Sequence, residues 1–265
     1  MKRPRLTVRR MMIAVAGLAL LLWLFVLSED KRRANFRDEC RYNLGQIAMA
    51  LIQYERTQGS FPAGTVPRVG APPESRVSWT IHLASFLDSN IHSIGIAGNP
   101  TVIPPREFRL LQCPSNPSRV TSGGHGLIHF VGIAGLGTDS PTLPAGHPRA
   151  GVFGYDRRTR LADIRDGTAT TMMLAETGTA NGPWYLGGPA TVRGVDSSRR
   201  PYIGPGRQFG GTHPEGANVA FADGSVRFVS DSVDPKVFEA ISTIAGGEIV
   251  PASEWEGPRN SGRGR

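Results

Sequence analysis

The sequence is poor in cysteine and lysine, and these shortages exclude several kinds of active site. Only two cysteines occur, Cys40 and Cys113, and without a CxxC pair they do not indicate a zinc site. The only lysines are Lys2, Lys31 and Lys236, and none lies in a P-loop. The G-x-S-x-G and H-E-x-x-H motifs of hydrolases and metalloproteases are also absent. We therefore expect no catalytic residues, no metal and no cofactor, and interpret the protein as a non-enzyme.

Positive charge is scarce outside the N-terminus, although the net charge is +8. Residues 1–10 contain five basic residues and no acid, whereas residues 34–250 contain 19 Lys and Arg against 18 Asp and Glu. A nucleic-acid-binding surface needs a basic patch on a folded face, so we expect no nucleic-acid partner. With 265 residues, 33 glycines and 21 prolines, the chain can form one sizeable loop-rich domain plus an appendage, or two small domains.

One long apolar run is present, at residues 11–27. As a helix it spans about 25 Å, which with the neutral Ser28 is enough to cross a bilayer. A cleaved signal peptide is the alternative. The run is long for a signal peptide, and the following "SEDKRR" offers no cleavage site between small residues, so we favour an uncleaved membrane anchor at residues 11–28.

The charges that flank this run predict its orientation. The five basic residues of the segment 1–10 have no acidic neighbour, whereas the basic residues 31–33 follow two acids, Glu29 and Asp30. The positive-inside rule then keeps residues 1–10 in the cytoplasm. We expect a single-pass protein of the cytoplasmic (inner) membrane whose remaining chain is periplasmic or otherwise extracytoplasmic.

An amphipathic helix is predicted over residues 29–58. The apolar side chains recur in steps of three and four, at Phe36, Cys40, Leu44, Ile47, Leu51 and Tyr54. Gly59 and Pro62 then signal its end. Joined to the apolar run, the helix forms a rod from Met11 to Gln58 of about 72 Å. The stripe packs either on the following domain alone or also against neighbouring copies, and both alternatives stay open.

Residues 59–250 have the texture of a β-rich domain, with short apolar runs between dense Gly and Pro turns. Residues 78–91 are a candidate short helix, and residues 251–265 a disordered tail. In "HPEGANVAFADGSVRFV" (213–229) two alternating runs flank Asp223-Gly224, which predicts a β-hairpin with a type I′ turn. Val219 and Phe221 are expected on one face of it, and Ala220 and Ala222 on the other.

The same stretch resembles the H-x(9)-D-G motif of bacterial pseudopilin-like proteins with the domain of unknown function 1559, on His213, Asp223 and Gly224. The segments "CRYNLGQIAMALIQYERTQGSFPAG", "LLQCPSNPS" and "DIRDGTATTMMLAE" agree in order. The resemblance implies an α+β, pilin-like fold: a long N-terminal helix packed on a β-rich, mainly antiparallel domain. It also implies pilin-like or type II secretion-like subunits as partners. The prepilin signal with a glutamate, frequent in that family, does not occur at the start of the apolar run.

Two sets of residues are candidates for local chemistry. Cys40 and Cys113 are a candidate disulfide in an oxidising compartment, the alternative being two buried thiols. His213 is interpreted as a structural hydrogen-bonding residue. The alternatives are a metal or ligand site with Glu215 or Asp223, and a general base.

Other candidates are weaker. His125 and His129 would share one side of a strand, without a third metal ligand in view. Asp163, Asp166 and Glu176 do not have the spacing of a calcium-binding EF-hand, and Asp166-Gly167 is interpreted as a turn.

Three aromatic residues are candidates for binding a ligand: Trp79, Trp184 and Tyr185. They would stack on a glycan, or else they fill the core. The sequence thus favours a membrane-anchored, non-catalytic structural, assembly or secretion-associated protein. The alternative functions are an anchored solute- or glycan-binding module and, less well supported, a metal-dependent hydrolase.

Overall fold

The structure, a computed structural model, describes residues 8–87, 107–248 and 250–255. Its helices and strands follow the chain in this order: α1 (Val8–Gln58), α2 (Thr80–Leu87), β1 (Phe130–Leu136), β2 (Met172–Glu176), β3 (Val192–Val195), β4 (Gly216–Phe221), β5 (Val226–Ser230) and α3 (Pro235–Ala240). The predicted helix at 78–91 is therefore present as α2, and the part of that prediction beyond Leu87 lies outside the described residues.

Helix α1 is a continuous rod of 51 residues, about 77 Å long. It ends where the sequence predicts, because Gly59 takes φ +74° and its N–H donates to the carbonyl of Glu55 at 2.7 Å. Residues 11–28 are exposed, and Cys40 is the first buried residue along the helix. From there the predicted apolar stripe is buried in the domain, so the rod has an exposed apolar half and a half that belongs to the core.

The five strands form one sheet in the order β3-β1-β2-β4-β5. Three of its four pairings are antiparallel, and only β1 and β3 run parallel. A long helix followed by a mixed, mainly antiparallel sheet confirms the predicted α+β fold class.

The sheet separates two apolar layers. Helix α1 packs on one face, in a layer that includes Leu44, Ile47 and Ala220. Helix α3 packs on the other, where Phe238 meets Val219 and the rest of the second layer. The alternation expected along β4 is confirmed, since Ala220 faces α1 and Val219 faces α3.

The predicted hairpin is present as β4–β5, but its predicted turn type is wrong. Asp223 does not have a positive φ, and only Gly224 does, at +87°. The N–H of Gly224 donates to the carbonyl of Phe221 at 2.9 Å. The N–H of Phe221 donates to the carbonyl of Ser225, also at 2.9 Å. This is a three-residue loop closed by a left-handed glycine, the other common hairpin connection. One loop residue more than expected removes the need for positive φ at Asp223.

The ordered domain extends further than the sequence suggests. Trp255, placed in the predicted disordered tail, is 1% exposed and stacks on Phe221 with ring centroids 4.6 Å apart. This part of the tail is therefore fixed to the α3 side of the core. Residues 256–265 of that prediction lie outside the described residues.

Candidate functional site

Four side chains of metal-ligand type meet beneath α1, and we call them the helix-exit cluster: Cys40, Cys113, Glu176 and His213. They come from α1, from the loop after residues 109–111, from the last position of β2 and from the loop before β4. Their ligand atoms all lie within 4.8 Å of one another. Each residue is at most 4% exposed. Among the described residues this is the one such group of three or more.

The cluster converges on a single nitrogen. Nε2 of His213 lies 3.4 Å from Sγ of Cys113 and 3.5 Å from Oε1 of Glu176. A catalytic Cys-His-carboxylate triad uses both ring nitrogens, one for the nucleophile and one for the carboxylate. Here Cys113 and Glu176 both face the same nitrogen. The side chains therefore surround a common centre and do not form a proton relay.

Asn218 fixes the carboxylate of the cluster. Its backbone N–H donates to Oε2 of Glu176 at 2.8 Å, and its side-chain amide donates to Oε1 at 2.9 Å. The same amide lies 3.4 Å from the carbonyl of Arg37 in α1. Because Asn218 belongs to β4 and Glu176 to the neighbouring β2, the pairing of these strands sets the position of the carboxylate.

His129 holds the loop that carries Cys113. Its Nδ1 accepts the backbone N–H of Cys113 at 2.9 Å, and its own backbone N–H donates to Leu111 at 2.9 Å. Burial lowers the pKa of His129 to about 4, so the ring stays neutral and can accept this hydrogen bond at physiological pH.

The thiols and the imidazole of the cluster influence one another. A hydrogen bond from Cys40 has the largest influence on Cys113 and lowers its pKa. Burial opposes this effect, a hydrogen bond with His213 adds to it, and the resulting pKa of Cys113 is about 6. Burial raises the pKa of Cys40 strongly, with Cys113 and Glu176 adding to the effect. Burial acts to lower the pKa of His213, but its contacts with Cys113 and Glu176 outweigh this and raise it. The contact between Cys113 and His213 thus favours the charged form of both groups.

The H-x(9)-D-G motif is divided between two places in the fold. His213 lies in the helix-exit cluster, whereas Asp223 and Gly224 form the hairpin turn at the other end of β4, a strand of about 20 Å. The carboxylate of Asp223 accepts the N–H and hydroxyl of Ser225 at 2.8 and 2.6 Å. Glu215 is exposed and also outside the cluster. The co-ligands considered for His213 in the sequence are thus not the ones that the fold supplies.

The two cysteines are brought together, as the candidate disulfide requires, but as free thiols. The bond between Cys40 and Cys113 stays a prediction. Glu176 is the member that the sequence interpretation missed, because it was considered only as a calcium ligand with Asp163 and Asp166. The available signal was weak: an acidic residue closing a buried apolar strand.

The remaining acidic and histidine candidates do not form a site. Asp163 pairs with Arg160 at 2.8 Å, and the carboxylate of Asp166 accepts the N–H groups of Gly246 and Gly247 at 2.7 and 2.9 Å. His125, in contrast to the buried His129, is partly exposed and lies 3.2 Å from the hydroxyl of Tyr185.

The aromatic candidates are core residues for the most part. Trp79 and Trp184 have no exposed surface. The indole N–H of Trp79 donates to the carbonyl of Thr191 at 3.0 Å. Only Tyr185 is partly exposed. Neither indole is therefore available at the surface for stacking on a glycan, and the alternative interpretation, in which these residues fill the core, describes their positions.

The fold and the cluster define an α+β protein with an N-terminal apolar helix and a buried group of four ligand-type side chains. A family model described as "Protein of unknown function (DUF1559)" matches residues 32–236, and the chain belongs to this family, as its resemblance predicted. No curated protein and no solved structure matches the chain. The family match begins after the apolar run and includes the whole helix-exit cluster.

Proposed function

We propose that this protein is a membrane-anchored, extracytoplasmic pseudopilin-like subunit that assembles with other proteins through helix α1 and catalyses no reaction. The observation that carries the proposal is the division of α1 into two halves. Residues 11–28 are exposed and apolar, whereas the half that starts at Cys40 is built into the core. The head domain is thereby fixed to the end of a long rod, which is the arrangement of a pilin-like subunit.

The exposed half of α1 suits a bilayer. Within the part of the chain that the structure describes, one helix, α1, is long and apolar enough to cross a membrane, and none of its most apolar stretch is buried in the protein. An isolated apolar helix in water would expose every one of these side chains, at a cost of about 25 cal/mol for each Å². The basic residues of the segment 1–10 support a cytoplasmic N-terminus and an extracytoplasmic head.

The outward side of α1 in the head region supports assembly. Tyr42 and Met49 lie two turns apart on one helix face and are 64% and 56% exposed, although both are large and apolar. A groove of about 520 Å³ borders this face, between α1 and the β4–β5 hairpin near Gly224 and Val226. This surface supports the alternative in which α1 packs on its own domain and also against neighbouring subunits.

The absence of catalysis is proposed from access. The helix-exit cluster combines nucleophilic and ionisable groups, but each of its residues is at most 4% exposed. Helix α1 supplies Cys40 and covers the cluster on one side, in the same apolar layer as Cys113. Because substrates bind in open clefts, burial to this degree favours a structural role for these groups.

Site-specific photo-crosslinking tests the proposal in native membranes. A photoreactive amino acid replaces Tyr42 or Met49 in the full-length chain, and the matched control carries it at Val69, which is fully exposed and lies outside α1. We expect higher-mass products in the membrane fraction from the two helix positions and none from Val69. Monomers alone at all three positions, or a protein recovered in the soluble fraction, would contradict the proposal.

A solute-binding module is the second candidate, and one cleft favours it. The cleft has a volume of about 580 Å³ and lies between α1 and residues 107–119, where Glu39, Arg109 and Arg119 supply charge of both signs. A thermal-shift screen of the full chain with sugars and amino acids tests this function. A shift that is lost in Arg109→Ala would support it, and no shift with any compound would remove it.

A further inference from the structure

We propose that the helix-exit cluster binds one zinc ion, which fastens α1 to the sheet. This site does not depend on the proposed assembly function. The ligands would be two sulfurs, one imidazole nitrogen and one carboxylate oxygen, from Cys40, Cys113, His213 and Glu176. Zinc accepts all three kinds of donor, and four protein ligands make a closed structural site.

The spacing of the ligand atoms fits a tetrahedron. Metal–ligand distances of about 2.0–2.3 Å place neighbouring ligands of a tetrahedral site about 3.3–3.8 Å apart. The two distances at Nε2 of His213 are 3.4 Å to Cys113 and 3.5 Å to Glu176. These lie in that range, and all ligand atoms lie within 4.8 Å of one another. Ligand atoms at the upper limit of 4.8 Å would approach one another by about 1 Å to complete the coordination.

The chemistry of the cluster also suits a metal ion. Two thiols, an imidazole and a carboxyl group are enclosed together, and burying such groups is costly unless they are hydrogen-bonded, paired or bound to a metal. Zinc binds cysteine as the thiolate and histidine as the neutral imidazole, so binding would release to solvent whatever protons these ligand atoms carry. The two positive charges of the ion would then offset two of the three negative charges of two thiolates and a carboxylate.

The surroundings orient the ligands as in known metal sites. Both oxygens of Glu176 accept hydrogen bonds from Asn218, at 2.8 and 2.9 Å. The backbone N–H of Cys113 is fixed by His129. Outer partners of this kind hold the ligand that they contact, and losing one typically costs about 10–100-fold in metal affinity.

The disulfide between Cys40 and Cys113 is the competing state, because a bonded pair of sulfurs cannot also supply two thiolates to zinc. A disulfide would involve only two of the four side chains and would not account for the contact of His213 with Glu176. Zinc uses all four, which is why we favour it.

Metal and thiol analysis of the full-length protein, purified in detergent without chelator, separates the two states. We expect about one zinc per chain, and two thiols that react with iodoacetamide only after denaturation with a chelator. A pair of cysteines that stays unreactive without reductant in denaturant would establish the disulfide and overturn the site. Two reactive thiols in a folded protein that takes up no added zinc would overturn it equally.

Substitutions test which side chains bind zinc, and one of them keeps all four ligands in case a ligand variant does not fold. Competition with a chelator should show a zinc affinity about 10–100-fold lower for Asn218→Ala, which keeps all four ligands. Glu176→Gln should weaken zinc binding further, whereas Glu55→Gln, a buried carboxylate elsewhere on α1, should not. Cobalt in place of zinc should give thiolate charge-transfer bands that Cys113→Ser diminishes. Equal zinc affinity in Glu176→Gln and Glu55→Gln would contradict the assignment.

Discussion

Leu44→Ala tests whether the half of α1 that starts at Cys40 is held by the domain. Leu44 is fully buried in the core layer between α1 and the sheet. Removing its isopropyl group leaves a cavity between the helix and the sheet. Replacements of this kind cost about 2–5 kcal/mol, and each kcal/mol shifts Tm by about 2–4 °C in a domain of this size. We expect Tm to fall by about 6–12 °C, for a cost of about 3 kcal/mol.

Met49→Ala is the matched control, because Met49 is 56% exposed on the outward side of the same helix. It should change stability by less than about 0.5 kcal/mol in the isolated protein. Thermal unfolding of the full chain in detergent can be followed by the fluorescence of Trp79, Trp184 and Trp255, which are buried. Equal Tm values for the two variants would refute the burial of α1 on which the anchored-rod argument depends.

Three further predictions concern the domain. Arg157 donates to five backbone carbonyls, four of them buried, so Arg157→Met should cost about 3–5 kcal/mol in urea unfolding. The change of its exposed neighbour, Arg158→Met, should cost less than about 0.5 kcal/mol. Trp255→Ala should lower the free energy of unfolding by about 3–5 kcal/mol, since the indole is buried on Phe221; an unchanged value would return the segment to a disordered tail. NMR should find His129 neutral down to about pH 4. Because folding lowers the pKa of His129, its contribution to stability is complete above pH 6.5 and is lost as the pH falls towards 4. Titration of His129 near pH 6.5 would contradict its burial.

The parts of the fold that follow from short-range patterns could be predicted from the sequence. The steps of three and four from Cys40 to Tyr54 determine one helix face, and the alternation through Val219 and Phe221 determines two strand faces. The turn at Asp223 could not be predicted in detail. Its type depends on the register of β4 and β5, which pairs Ala220 with Val226 and leaves five residues between them.

The site depends on contacts across the whole chain, and no local pattern encodes them. Cys40, Cys113, Glu176 and His213 lie on four separate elements, and two of them are in loops whose course is set by the sheet. The sequence drew attention to the cysteines and to His213, but each was weighed alone or with a sequence neighbour. Only the pairing of β2 with β4 brings Glu176 to the loop that holds His213.

The position of the cluster connects the two proposals. Cys40 is the first residue of α1 that the domain buries, and the amide of Asn218 also reaches the carbonyl of Arg37 one turn earlier. Residues 8–39 beyond that point form a lever of about 48 Å. A sideways force at the far end of this segment therefore produces its largest bending moment where the helix leaves the head domain. The proposed zinc ion would join Cys40 at that place to Glu176 on β2 and to the loops that carry Cys113 and His213. It would add to the apolar contacts that begin one turn further on, at Leu44. A subunit that transmits force along α1 would gain most from a cross-link at this position.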